Sequence, residues 1–585
     1  MNQIIINLKT MKNLSYLLIL FLAIGCADLD LSPTDMIAED AVKKDPKLVE
    51  AFLTKIYANA NFEPNEGVGF PNQDRLTDGV VGGEYTLMAP WQNGVKASYS
   101  IPTASGGHSR LVKWQYPNIR SCNEVIEILN NATFDAAIVK TQIAEAKFLR
   151  AFMYLEMAKR FGGLPLELTP KSVDSSADEL MIPRNTLQET YDQIISDLDA
   201  AAADLPGTAI YGKATKWAAL GLKSRAALYA ARIAKYHPQS TDGLTSIPAG
   251  SATGYYTAAL GAANAVIDGG KHPLYKGGAN MVDRFEKLFY EDANSEIIFA
   301  EAYSLSLGKT HSYSIYCLPD GFKSGWGSNI HMYTASDARF EYADGSPGDK
   351  HHAKFNNKTW FDIEEVIYKK DPRYLATLFT PEEIFQGREV WFHDNTVGSG
   401  TVKGRAGNAV PKRAPGRNRN RGGRLVQKRT DPALEFPAGG TDEVPYIVLR
   451  TGEMFLNASE AAFETAKMGQ ALGRLNTLRA RVGMPKKTEA ELTLDLIKNE
   501  RFVELYGENH RYWDLRTWRD AEAELHLVTK FGTKWYRRAS DGMYKAKQWK
   551  WNFSQNTPFL PKMYWLPFGT NKLAQNPNLV ENPGY

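Results

Sequence analysis

The chain has 585 residues, 43% of them hydrophobic, with 69 Lys and Arg against 66 Asp and Glu. A formal net charge of +3 gives no general field for gripping nucleic acid or an anionic membrane face. The length admits a large core and more than one folding unit.

The first element is LLILFLAIGCADLD, Leu17 to Asp30. Its apolar run, Leu17 to Ile24, falls well short of the roughly 20 residues that a spanning helix needs. Lys9 and Lys12 precede it and no acid does. A basic start, a short apolar middle and a small residue at the break predict a secretory signal over residues 1–25. Gly25-Cys26 resembles the end of a bacterial lipoprotein signal, where the cysteine is acylated and becomes the mature N-terminus. An ordinary cleaved signal with a chance cysteine is the alternative. Ala23 stands where leucine is commonest in such signals, and Met11 opens a second complete signal start. Removing residues 1–25 lowers the net charge to +1. Acyl chains contribute about 0.8 kcal/mol per buried CH₂, so a multiply acylated Cys26 holds the chain on a membrane. No later run has 18 consecutive apolar residues, so none is expected to cross a bilayer.

Helical signals follow. IAEAKFLRAFMYLEMAKRFGG sets Phe148, Phe152 and Leu155 on one face with Leu149, Met153 and Met157 beside them, a stripe wide enough for burial on two sides. Gly162-Gly163 and Pro165 supply its stop. TLQETYDQIISDLDAAAADLPG opens on a Thr186/Glu189 capping box and carries Leu187, Tyr191, Ile194, Ile195, Leu198 and Leu205 as its stripe. KATKWAALGLKSRAALYAARIAKY presents Ala226, Ala227, Ala230, Ala231 and Ala234, small enough for a second helix to approach closely. YYTAALGAANAVIDGG is its expected partner. VLRTGEMFLNASEAAFETAK and GQALGRLNTLRARVGMP form a late pair. Helices near Pro46–Asn59 and Trp114–Asn130 form another.

The fold class that results is mainly α, with tetratricopeptide-type hairpins scaffolding long irregular loop segments and little β. The W-x₂-L-G-x₂-Y repeat consensus is only hinted at, in Trp217 to Leu220. After the signal, residues 26–585 are expected to form a single domain. Its helical pairs lie near 45–130, 138–205, 213–268 and 446–483. Loop-rich segments near 60–113 and 270–445 are where ligand binding is expected.

Gly404 to Arg424 carries seven Lys and Arg and no acid. It is expected to be a mobile solvated loop, with an anionic polysaccharide or an acidic partner surface as alternatives. Cys122 and Cys317 either pair or stay as two buried thiols, the second being favoured. Neither has zinc-ligand spacing. His351-His352 lacks a fitting third ligand and is expected in an exposed loop.

Four features together resemble the SusD/RagB family of Bacteroidetes outer-membrane lipoproteins. They are the start ending in Cys26, AEAKFLRAFMYLEMAKRFGGLPL from Ala144, IKNERFVELYGENHRYWDLRTW from Ile497, and YWLPFGTNKLAQNPNLVENPGY from Tyr564. The family's charged position in "R-x-E-R" is Asn499 here, and its closing "L-x-P-I-P" is Leu566-Pro567-Phe568 without the second proline. Asp28 and Asp30 resemble the acidic export tag of surface lipoproteins in that phylum. The third motif also has a physical reading. Thr488 and Glu491 form a capping box, and Leu492, Leu496, Val503 and Tyr506 form a stripe. Arg501, Glu504, Glu508, Arg511, Asp514 and Arg516 alternate in sign. An ion-pair network locking this helix onto the repeats is expected, since interspersed arginines lower carboxyl pKa values and a catalytic acid needs the reverse. Asn576-Pro577 and Asn582-Pro583 are expected to fix turns in a tail packed on the body.

No enzymatic signature appears, and no cofactor, metal or nucleic acid is expected. The resemblance implies a cell-surface, lipid-anchored outer-membrane protein. It would capture oligosaccharide or polysaccharide and pass it to a SusC-like TonB-dependent transporter without catalysis. Rival readings are a peptide or other nutrient as cargo, a helical-toroid glycosidase, and a plain helical-repeat scaffold. A glycan site needs an aromatic platform flanked by hydrogen-bonding side chains. NQDRLTDGVVGGEYTLMAPW offers Arg75, Asp78 and Trp91; GFKSGWGSNIHMYT offers Trp326, Asn329 and Tyr333.

Overall fold

The computed structural model describes residues 39–62, 73–82, 113–172, 174–325, 327–328, 330–390, 392–397, 423–526, 528–538, 540–550 and 559–585. The main helices, in chain order, are α1 Pro46–Asn59, α2 Tyr116–Asn130, α3 Ala136–Phe161, α4 Leu187–Asp204, α5 Lys216–Tyr236 and α6 Ala252–Asp268. They continue with α7 Met281–Lys287, α8 Pro372–Thr377, α9 Thr451–Glu464, α10 Met468–Arg481, α11 Leu494–Glu504 and α12 Arg511–Thr517. Strands are short: β1 Val80–Gly82, β2 Ile297–Glu301, β3 Ile330–Met332, β4 Ile384–Phe385, β5 Arg388–Glu389, β6 His393–Val397, β7 Tyr446–Arg450, β8 Phe531–Arg538 and β9 Tyr544–Lys550. They form small separate sheets: antiparallel pairs β1–β3, β2–β7 and β4–β5, and a ladder in which β8 joins parallel β6 to antiparallel β9.

The helices pack as an ordered stack. α3 lies against α1, α2 and α4; α5 lies against α4 and α6; α9 lies against α6 and α10. Sequence explains each contact. The α3 stripe of Phe148, Phe152 and Leu155 is buried, as are Leu149, Met153 and Met157 on its second face. The alanines of α5 are all buried, and Ser224 donates to the carbonyl of Ala259 across the α5–α6 seam at 3.1 Å. The Thr186/Glu189 box caps α4 with both reciprocal bonds made, which satisfies donors that the helix start leaves orphaned.

Gly162 ends α3 with φ at +83°, and a Cβ there would lie 2.4 Å from the carbonyl oxygen of Leu244. A side chain is therefore excluded twice, by backbone conformation and by contact. Asn582 fixes the C-terminal tail over this corner, donating to the carbonyls of Phe161 and Leu566 at 2.9 and 2.7 Å. Asn576 likewise donates to the carbonyl of Ile182 at 2.9 Å.

Three expectations change in detail. The Thr488/Glu491 box closes a single 3₁₀ turn, Glu489–Glu491, while α11 begins at Leu494 with Thr493 as its own cap. The Thr493 hydroxyl oxygen accepts from the Leu496 N–H at 3.1 Å, so the helix has a cap separate from the turn before it. Arg424, the last residue of the basic stretch, is not in a solvated loop. It is 1% exposed and paired with Asp337, and its carbonyl accepts from Met332 N–H at 3.0 Å. His351 and His352 are half-buried, His351 against the Tyr342 ring and His352 against Gln548. Cys122 and Cys317 are separate buried thiols, and burial pushes Cys122 up to about 12.

A second core, built on Phe322, Ile330, Phe340, Tyr374, Leu425, Val426 and Trp535, fills the loop-rich half. α11 stands between the two cores, with Ile497 in the helical one and Phe502 and Val503 in the other. Its charged face holds the halves together. Glu504 accepts from Arg450 at 2.7 Å and Arg373 at 3.1 Å and also pairs with Arg481. Glu500 bridges Arg373 and Arg479, and Glu508 bridges Arg450 and Lys428. Burial would raise the Glu504 carboxyl, but Arg481, Arg450 and Arg373 outweigh it and hold it far below the usual range. Glu504→Ala leaves three guanidinium groups short of their shared acceptor. We expect it to cost about 3–5 kcal/mol, read as a lower urea midpoint of the first unfolding transition.

Candidate functional site

The two segments singled out for ligand contact meet in the fold. β1 pairs antiparallel with β3, with Val80 opposite Met332 and Gly82 opposite Ile330. Tyr333 N–H donates to the Gly79 carbonyl at 3.2 Å, and the Ser336 hydroxyl donates to the Asp78 carbonyl at 2.9 Å. Residues 424–426 extend the pair on the other side of β3, where Val426 N–H donates to the Ile330 carbonyl at 2.9 Å. Gly82 and Ile330 therefore face each other at one end of this small sheet.

α11 and α12 clamp this junction from below. Gln73 N–H donates to the Asn509 side chain at 2.7 Å, and Asn509 N–H donates to Asp74 at 2.9 Å. The Trp513 indole donates to the Gln73 side chain at 2.7 Å, and the Tyr506 hydroxyl donates to the Gly79 carbonyl at 2.8 Å. Arg511 grips both oxygens of Asp78, at 2.8 and 2.7 Å, and Arg339 adds a third contact at 3.2 Å. Fork-to-fork pairs of this kind fix orientation as well as charge.

The expected site residues fall into three groups. Cys26, Trp91, Trp326 and Asn329 lie outside the described residues. Arg75 is described only by its backbone, in the 3₁₀ turn Gln73–Leu76. Asp78 and Tyr333 are fully described. Asp78 has its carboxylate occupied by arginines. Tyr333 is 2% exposed, with the Lys530 ammonium 4.8 Å from its ring centre. Sequence reading missed Arg339, Asn509 and Lys530 as supports of this site. Arg511 was visible as one of the alternating charges after α11, but its partner was assigned to the repeats.

The charge states follow from these neighbours. Burial would raise the Asp78 carboxyl; Arg511, Arg339 and Lys530 outweigh it and bring it down to about 2. Burial pushes the Lys530 ammonium down to about 8, with Asp78 opposing. Asp74 goes the other way. Burial lifts it to about 7, the Asn509 N–H opposes, and Asp514 and Glu508 add repulsion. A carboxyl raised in the folded state stabilises fully below its unfolded value, 3.8, and that stability is lost as pH climbs through the folded one. Asp74→Asn keeps the acceptor for Asn509 and removes the titration. We expect wild type and variant to match near pH 4 and the variant to be more stable by roughly 4 kcal/mol near pH 8, measured by denaturant melts across that range.

This stack of helical hairpins, with a loop-rich half locked over it, is the architecture of a known class. A model described as "SusD family" matches residues 295–585, and one described as "Starch-binding associating with outer membrane" matches residues 29–228. The chain belongs to the SusD/RagB family. It is 22% identical to a SusD-like protein of Bacteroides ovatus, over 97% of this chain and 96% of that one. A SusD-like protein from Bacteroides fragilis superposes with a TM-score of 0.72 at 24% identity, covering 95% of this chain and 100% of that structure. A SusD-like carbohydrate binding protein from the same species superposes at 0.68 and 19% identity, covering 92% and 100%. Among the described residues no helix is long and apolar enough to cross a membrane, and no group of three His, Cys, Asp or Glu side chains is placed to hold a metal ion.

Proposed function

We propose that the protein is a surface-facing outer-membrane lipoprotein, anchored through acylated Cys26. It captures oligosaccharide or polysaccharide and delivers it unaltered to a SusC-like TonB-dependent transporter. The observation that carries this reading is the β1–β3 pairing. It joins residues 80–82 to residues 330–332, which belong in sequence to the two stretches that also contain Trp91 and Trp326, on a foundation of buried ion pairs. Family membership and the carbohydrate-binding description of a neighbour in fold support the glycan as cargo.

In this reading Trp91 and Trp326 form the platform on which a sugar ring stacks, and Asn329 and Arg75 supply hydrogen bonds. Asp78 and Tyr333 take a positioning role instead of direct contact, because the arginine fork and the cover of Lys530 leave them facing protein. A tethered binder raises ligand concentration at the channel mouth, so moderate affinity suffices. Catalysis by the α11 carboxylates is disfavoured. Glu500 and Glu504 are held low by arginines despite burial, whereas a general acid must be raised.

Affinity electrophoresis through gels containing neutral or sulfated polysaccharide tests the site. One glycan should retard the wild type, and Trp91→Ala with Trp326→Ala should weaken retardation at least tenfold. Unchanged retardation, or reducing sugar released by the purified protein, overturns the proposal. Cys26→Ala should move the protein from the membrane fraction to the soluble fraction on cell lysis, since the acyl chains are the anchor.

A further inference from the structure

A second cavity lies apart from the junction, and none of its lining belongs to residues 73–82 or 330–333. It has a volume of about 350 Å³ and opens between α7, α8, the Thr380–Gln386 turn and residues 427–432. Tyr290, Tyr368 and Phe385 supply aromatic surface, and Glu286, Glu383 and Gln427 supply polar atoms. The volume is at the small end of ligand pockets, which run roughly 300–1,000 Å³.

The lining brings acceptor oxygens of Glu286, Glu383 and Gln427 together. Gln427 is 6% exposed; its amide nitrogen reaches Glu286 at 3.4 Å, and its Oε1 has no hydrogen-bond partner among the described residues. Glu383 accepts from the Thr380 N–H at 2.9 Å and hydroxyl at 3.2 Å. The nearby cations are committed elsewhere. The three donors of the Lys428 ammonium go to the carbonyls of Glu504 and Tyr506 and to Glu508, at 3.0, 3.0 and 2.6 Å. Arg429 donates to the carbonyls of Pro445 and Val444. Asp283 on α7 and Asp431 beside the cavity add negative charge near Tyr290. A half-buried acidic pocket with an orphaned buried amide oxygen lacks one thing, a compact cation with several donors.

We propose that this cavity binds a single sugar-sized ring bearing a protonated amine, its ammonium held by Glu286, Glu383 and the Gln427 oxygen and its apolar ring face on the tyrosines. An ammonium offers three donors to acceptors that otherwise repel one another. A pyranose face matches the aromatic walls better than a flexible alkyl amine does. An acidic sugar is excluded by charge. The two carboxyls behave accordingly. Burial lifts Glu286 to about 7, with Asp283 adding repulsion. Burial lifts Glu383 to about 8, with Glu286 adding repulsion and the Thr380 and Gln427 hydrogen bonds opposing. Both move up together, which is unlike a glycosidase pair, where one group stays ionised while the other holds its proton.

The test is calorimetric titration of the full mature chain with glucosamine at pH 7, against N-acetylglucosamine, glucose, glucuronate and Nα-acetyl-lysine amide. Glucosamine should bind at least tenfold more tightly than each of the others. Glu286→Gln and Glu383→Gln should each weaken it at least tenfold. Binding should release protons, seen as a heat that changes with buffer ionisation enthalpy. It should also fade below pH 6, where the amine stays charged and the carboxyls do not, and this arm needs no variant to fold. Equal or tighter binding of N-acetylglucosamine or the lysine amide, no glucosamine binding, indifference to either substitution, or hydrolysis of a glucosamine disaccharide overturns the proposal. Loss of polysaccharide retardation in Trp91→Ala/Trp326→Ala with glucosamine binding intact separates this cavity from the junction site.

Discussion

Glu504 is the constraint on which both halves of this protein depend. It is fully buried, and its two oxygens are shared among Arg373, Arg450 and Arg481. Arg373 belongs to α8 in the loop-rich half, Arg450 to the strand that enters α9, and Arg481 to the end of α10. One carboxylate thus fixes three elements far apart in sequence. Its neighbours repeat the pattern: Glu296 joins Arg450 to Arg481 at 2.9 and 2.8 Å, and Arg232 on α5 holds Glu460 on α9 and Asp514 on α12. Buried pairs of this kind add little net stability over apolar packing, but they penalise any other arrangement, because a misplaced element leaves a charge unpaired. The long irregular segments need such a device, since they have no repeated stripe to fix their register.

The helical half depends on a different kind of fit. Alanines on α5 bring α6 close, and large side chains on α3 fill both of its flanks. That half is specified by shape. The loop-rich half has a core of its own, yet its strands are two to eight residues long among the described residues, too short to hold a sheet by ladder bonds alone. Charge and shape therefore divide the work along the chain, and α11 belongs to both.

Legibility in the sequence follows the same division. The helices showed themselves because periodic burial leaves a periodic pattern: Phe148, Phe152 and Leu155, or Leu187, Tyr191, Ile194 and Leu198. Gly162 showed itself because only glycine fits its conformation. The ion-pair role of the 501–516 charges was legible from sign alternation, but their partners were not. Arg373, Arg481 and Asp78 are separated from them by up to hundreds of residues, and nothing local marks a long-range pair. β1 and β3 were invisible as strands, since three residues show no alternation. Arg424 was hidden in a basic run whose other members set its apparent character, while its own burial is decided by Asp337. The two candidate segments stand out in sequence by their aromatic and amide content, and nothing in that content shows that they pair. The Glu286–Glu383 cavity left no signal at all, being assembled from three distant stretches.

Rigidity below the junction has a consequence for recognition. Asp78 held by Arg511 and Arg339, Gly79 held by Tyr506, and Gln73 held by Asn509 and Trp513 leave the base of the sheet little freedom before any ligand arrives. Ordering a loop on binding costs about 0.5–1.5 kcal/mol for each side chain immobilised, and a pre-set base removes part of that cost. A binding surface built on such a base gains from this in a particular way. Preorganisation gives selectivity without demanding many contacts, and few contacts allow fast release. The frame is thus fixed by buried ion pairs before anything binds.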